Sequence, residues 1–148
     1  MKLDQVDAFA RSLPAVTTGS RWNNRTWMVG DRGFAWERPF SKADLKRYGE
    51  VTPPQGDIVA IMVENLDAKD ALLAMELPGV FTIPHFANYP AILVELRRAR
   101  VAQIRPLLRA AHALAVTPRA TRTKPAKPAK RTKPTKPKPK PKPKKPSR

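Results

Sequence analysis

The chain has 148 residues, with 29 Lys or Arg against 12 Asp or Glu, for a formal charge of +17. It has no cysteine, which excludes disulfides, thiolate zinc sites and cysteine nucleophiles. No apolar run approaches the ~18 residues of a membrane span, and Met1 to Asp7 lack the basic-then-apolar order of a secretory signal. A cytoplasmic protein is therefore expected, and in a bacterium that includes the nucleoid.

The charge is unevenly placed. Residues 119–148 hold fourteen Lys or Arg and eight Pro, with no acidic or aromatic residue. Residues 1–118 keep the other fifteen basic residues against all twelve acidic ones. The break separates one folded domain, residues 1–118, from a disordered polycationic tail, residues 119–148.

In chain order, Leu3, Val6, Ala10 and Leu13 recur at helical spacing, with Asp4 and Asp7 at the positive end of the helix dipole. Pro14 ends that helix, and residues 15–24 read as a polar connection. Thr26–Val29 and Phe34–Glu37 flank Gly30-Asp31-Arg32-Gly33 as a β-hairpin. Ser41 with Asp44 marks a capped short helix that Gly49 terminates. The apolar run Ile58–Val63 reads as a buried strand. A helix capped by Asp67 follows, with Ala71, Leu72 and Met75 as its buried face, and Pro78-Gly79 breaks it. Val80–Ile83 is a short extended piece and Ile92–Leu96 a strand, with a proline-braced loop, residues 84–90, between them. Val101, Ile104, Leu108, Ala111 and Ala115 form the apolar stripe of a last helix. Pro106 is tolerated there if the helix starts near Ala102. This order predicts an α+β domain, an antiparallel sheet packed by helices on one face.

Pro84-His85-Phe86 and Asn88-Tyr89-Pro90, with the colinear segments Leu13–Thr17, Phe34–Glu37, Ser41–Leu45, Lys69–Ala74 and Pro118-Arg119, resemble the MmcQ/YjbR family of small bacterial proteins. Asn88 departs from the Gly that family usually carries before Tyr-Pro, and Asn tolerates the left-handed backbone such a turn needs. The resemblance covers the body and none of the tail. It implies a frataxin-like (CyaY-like) fold and DNA binding through a proposed double-wing motif. It brings no catalytic centre.

In the tail, Lys136 to Pro143 alternates Lys and Pro, which forms neither helix nor sheet and favours extended polyproline II. Its basic residues, Arg119, Arg122, Lys124, Lys127, Lys130, Arg131, Lys133, Lys136, Lys138, Lys140, Lys142, Lys144, Lys145 and Arg148, are point charges suited to phosphate contact without base readout. DNA is the expected partner. RNA is the second polyanion such a tail would take, and a membrane surface or a merely solubilising role are the remaining readings.

Arg97, Arg98, Arg100, Arg105 and Arg109 run into the tail. They read either as a phosphate-contacting patch or as a solvated helix face. Arg21, Arg25 and the Asp31-Arg32 tip read as an ordinary exposed turn or as a wing on the DNA backbone. Trp22, Trp27 and Trp36 read as hairpin core or as base-stacking aromatics. His85 is expected to fix the proline-rich loop, because neither an activated nucleophile nor a metal stands beside it, and His112 to be packed or half-exposed among alanines. Neither of the Gly-rich phosphate-loop motifs, GxxxxGK(S/T) or GxGxxG, occurs. No enzyme, cofactor or metal site is expected, so the reading is a non-catalytic, nucleoid-type DNA-binding protein. A protein–protein adaptor with a solubilising or RNA-binding tail is the alternative.

Overall fold

A computed structural model of the chain describes residues 1–117. The elements are α1 (Leu3–Ser12), β1 (Val16–Arg21), β2 (Asn24–Val29), β3 (Arg32–Glu37), α2 (Lys42–Tyr48), β4 (Ile58–Met62), α3 (Leu66–Ala74), β5 (Val80–Phe81), β6 (Ala91–Glu95) and α4 (Val101–Val116), with a 3-10 turn at Pro84–Phe86 before β6. The strands form one sheet in the order β1-β2-β3-β4-β6-β5, and every neighbouring pair is antiparallel. This is the expected α+β architecture.

Strand alternation sends side chains to two faces. Trp27, Ala35, Val59, Ile61, Ile92 and Val94 face one way, where Val6 and Ala10 of α1 and Ile104, Leu108 and Ala111 of α4 cover them. Trp36, Ile58, Ala60, Ala91 and Leu93 face the other way, beneath Phe86, Ile83, Phe40 and Phe81. The register aligns Trp36 with Ala60 and Ala60 with Leu93 across three strands. Between Trp27 and Met28 the β2–β3 register shifts. The bulge leaves Phe34 unpaired, and it joins Ala35 in the first core. There its ring meets that of His112 edge-on at 5.6 Å. Of the two placements expected for His112, packed or half-exposed, the first holds, with Nε2 2.8 Å from the Pro14 carbonyl.

Several sequence expectations need correction. Residues 16–21 are not a connection but an edge strand, paired from Val16 with Val29 to Arg21 with Asn24. Their sequence, Val-Thr-Thr-Gly-Ser-Arg, lacks apolar alternation because the strand is mostly solvent-facing, so periodicity had no signal to show. The connection shrinks to the two-residue turn Trp22-Asn23. In α3 the cap is Asn65, whose Oδ1 accepts from the Ala68 amide at 2.8 Å, rather than Asp67. Ala71 and Met75 are exposed, and the buried residue of that helix is Lys69. Pro106 lies in the second turn of α4 and not the first. Its missing N–H frees the carbonyl of Ala102, which is exposed and can bond water.

The capping box at Ser41 and Asp44 and the Gly49 terminus of α2 form as expected. Gly79 follows α3 with φ +80°, and a Cβ there would lie 2.6 Å from the Glu95 carbonyl oxygen and 2.9 Å from the Ala99 nitrogen. Both obstacles are backbone and cannot rotate away. Gly79→Ala is therefore expected to lower stability by about 3 kcal/mol, measured as a fall in the urea midpoint at constant slope.

Candidate nucleic-acid interface

Five arginines were expected near α4, and all five are exposed. Their partners divide them. Arg105 and Arg109 stand one turn apart, and both place their guanidinium over the ring of Phe9 from α1, at 5.3 and 5.4 Å from its centroid. Neither makes an ion pair among the described residues. Phe9 thus orders two positive charges while leaving them uncompensated. Arg97 donates to Gln55 Oε1 at 3.1 Å, and Arg98 lies 4.0 Å from the Glu95 carboxylate. Arg100 is the N-cap position of α4 and makes no side-chain cap bond. The tail residues Arg119 to Arg148 named above lie outside the described residues.

The hairpin arginines are already occupied. Arg25 pairs with Glu37 at 3.2 Å and approaches Asp7 at 3.9 Å. Arg21 donates to the Asp31 carbonyl. Arg32 reaches the last turn of α4 and donates to the carbonyls of Ala115 and Thr117, where the negative end of the helix dipole favours a cation. A tip residue considered for a wing is thus spent anchoring the segment that leads into the basic tail.

The three tryptophans separate. Trp27 is fully buried and donates from Nε1 to Asp7 Oδ1 at 2.9 Å. Trp36 is mostly buried on the opposite face, while Trp22 is 75% exposed. Trp22 and Asn23 both have positive φ, 51° and 61°, as a tight type I′ hairpin turn demands.

Trp22 and Trp36 belong to an open cleft of about 520 Å³ on the second sheet face, with Phe86, Tyr89 and His85 across from the hairpin. The rings of Trp36 and Tyr89 stand at 79° with centroids 6.2 Å apart, so the cleft has a floor and a wall. Asn24, Arg38 and Ser41 add polar groups. Arg38 donates to Asp44 Oδ2 at 3.0 Å and to the Pro39 carbonyl, and its guanidinium lies 5.6 Å from the Phe86 centroid. Burial pushes the Asp44 carboxyl up, but the Ser41 amide and hydroxyl and the Arg38 guanidinium outweigh it, and the group ends below its ordinary value.

The loop that walls this cleft is held by Lys69, a residue the sequence reading passed over. Its side chain is buried, and its ammonium donates to the carbonyls of Phe86 and Tyr89, the latter at 3.0 Å. Desolvation lowers its pKa, and nearby Asp70 partly offsets this. His85, expected to fix the loop, is exposed and makes no side-chain hydrogen bond among the described residues. A signal was present: Leu72 and Leu73 follow Lys69 by three and four residues, which puts the lysine on the same helix face as two half-buried leucines.

Among the described residues no three His, Asp or Glu side chains come together as a metal site would require, and no helix is long and apolar enough to cross a membrane. What the arrangement offers chemically is phosphate contact at Arg105 and Arg109 and aromatic stacking in the cleft.

Lys69→Met removes the donor of two carbonyls beneath the loop and is expected to cost about 2 kcal/mol. Asp70→Ala, one residue away and exposed, should stay within about 0.5 kcal/mol. Urea unfolding of the two variants checks this, and equal losses would contradict the clamp.

No family model matches the chain. Three mycobacterial proteins do: Rv2570 and MT2646 of Mycobacterium tuberculosis and Mb2600 of Mycobacterium bovis, each described as an uncharacterized protein. Each is 47% identical over 106 residues, covering 69% of this chain and 81% of the relative. At that identity and coverage, the chain belongs to the family of Rv2570, MT2646 and Mb2600.

Proposed function

We propose that this protein is a non-catalytic, nucleoid-type DNA-binding protein that holds the phosphate backbone with little sequence preference. The observation that carries this reading is the segregation of charge. Fourteen of 29 basic residues sit in the last thirty positions with no acid among them. So dense a cation run attracts a polyanion by counterion release. The uncompensated pair Arg105 and Arg109, on the helix that leads into that run, supports a second and weaker phosphate contact from the body. The resemblance to the MmcQ/YjbR family and its frataxin-like fold belongs to the same proposal. RNA would satisfy the same phosphate chemistry and enters as a competitor in the test.

Binding to duplex DNA across a salt series is the decisive measurement. If eight of the fourteen tail charges meet phosphates, log K falls with log salt at a slope near about −7. A chain ending at Pro118 should bind far more weakly, with a slope of about −2 from Arg105 and Arg109. Equal affinity and slope for the two chains would refute the tail's part. In the full chain, the double substitution Arg105→Ala and Arg109→Ala should flatten the slope by about 2. An unchanged slope would remove the body from the interface.

A further inference from the structure

The cleft on the second sheet face is not accounted for by phosphate binding. Its volume, about 520 Å³, lies in the ~300–1,000 Å³ range of small-ligand sites. Its walls are aromatic, and its position is opposite the face that α1 and α4 cover. We infer that it is a stacking pocket for an unpaired base of single-stranded nucleic acid, received between Trp22, Trp36 and Tyr89.

Trp22 carries the argument. A bulky residue at positive φ is strained by roughly 1–2 kcal/mol, and Asn or Gly relieves that strain. Burial normally compensates a misplaced tryptophan, yet Trp22 is 75% exposed. The turn therefore holds a large aromatic in a costly conformation without packing in return, as surfaces that await a ligand do. Tyr89 is likewise 44% exposed, at the end of a loop that Lys69 clamps by two carbonyls. The two exposed rings are thus presented by a tight turn on one side and a clamped loop on the other.

The chemistry around the rings selects the class of ligand. Asn24 Nδ2 is taken by the Trp22 carbonyl at 3.0 Å, which leaves its Oδ1 as an acceptor for a base edge. His85 adds a further hydrogen-bonding group, while the Ser41 hydroxyl is committed to Asp44. The cation at the cleft is Arg38, and the nearby carboxylate, Asp44, is engaged by Arg38, Arg47 and Ser41. With no free carboxylate at its rim among the described residues, the cleft suits a base attached to phosphate. It disfavours the chain's own Lys/Pro segment, which an acid-lined aromatic groove would attract. Duplex DNA keeps its bases stacked, so the pocket acts on single strands, where aromatic stacking contributes to affinity irrespective of base identity.

This inference rests on the nucleic-acid reading above only for the attraction of the strand. The test uses the full chain and three probes: a single-stranded oligonucleotide, an abasic strand of equal length and phosphate count, and a free nucleoside monophosphate. Intact protein should bind the base-bearing strand on the order of tenfold tighter than the abasic one. Trp22→Ala should erase that difference while leaving the abasic affinity unchanged, and Trp22→Phe should restore much of it. Equal affinity of intact protein for both strands would overturn the pocket and leave phosphate binding by the tail standing. Binding of neither strand at low salt would overturn the phosphate reading. The nucleoside monophosphate would then decide the cleft alone: tryptophan quenching lost in Trp22→Ala supports it, and no quenching overturns it. Quenching by a peptide copying residues 133–145, with none by the oligonucleotide, would assign the cleft to a proline-rich ligand and overturn the inference as well.

Discussion

Strands β4 and β6 are shut away from water on both faces, and the rest of the body answers to that constraint. Ile58 to Ile61 and Ala91 to Glu95 are buried without interruption, so the chain must supply two covers. The first is helical, from α1 and α4. The second is assembled from Phe40, Phe81, Phe86 and Ile83, which come largely from irregular segments. Irregular backbone over a core leaves carbonyls without a ladder partner, and buried carbonyls need donors. Lys69 provides them for Phe86 and Tyr89. Its buried ammonium is the consequence of covering a sheet with a loop rather than a helix.

The same economy organises the charges of the body. Most of its cations do internal work: Arg25 joins β2 to β3 through Glu37, Arg32 anchors the end of α4, Arg38 holds the capping acid of α2, and Lys69 holds the loop. Among the described residues Lys42, Lys46 and Arg100 pair with no acid, and neither do Arg105 and Arg109, which differ in being held on the ring of Phe9. A body that neutralises nearly all of its own charge, joined to a segment carrying fourteen cations and no anion, divides labour between architecture and long-range attraction. The division also separates two kinds of chemistry, since Arg105 and Arg109 are point charges while the cleft on the other sheet face offers rings.

How much of this was legible from the sequence follows from the range of each interaction. The capping box of α2, the hairpin, the central strands and the apolar stripe of α4 were readable because their signals are local: a cap four residues long, a turn, a run of β-branched residues, a 3.6-residue period. β1 was not, since an edge strand with a largely solvated surface has no apolar alternation to display. The arginines of α4 were visible as a cluster, whereas their division by Phe9 on one side and Gln55 and Glu95 on the other was not. His85 drew attention as the chemically versatile residue of its loop, while the residue that holds that loop stands seventeen positions from Phe86.

The sequence by itself determined the class of fold, the position of most elements and the placement of charge, because each depends on composition or on neighbours within a few residues. Only the tertiary structure decided which cations are free and which are engaged, which tryptophan is core and which is presented to solvent, and that a cleft exists at all. Those outcomes depend on groups brought together from distant parts of the chain, such as Trp22 with Tyr89 or Arg32 with Thr117. Periodicity along a chain carries no record of which distant residues will meet.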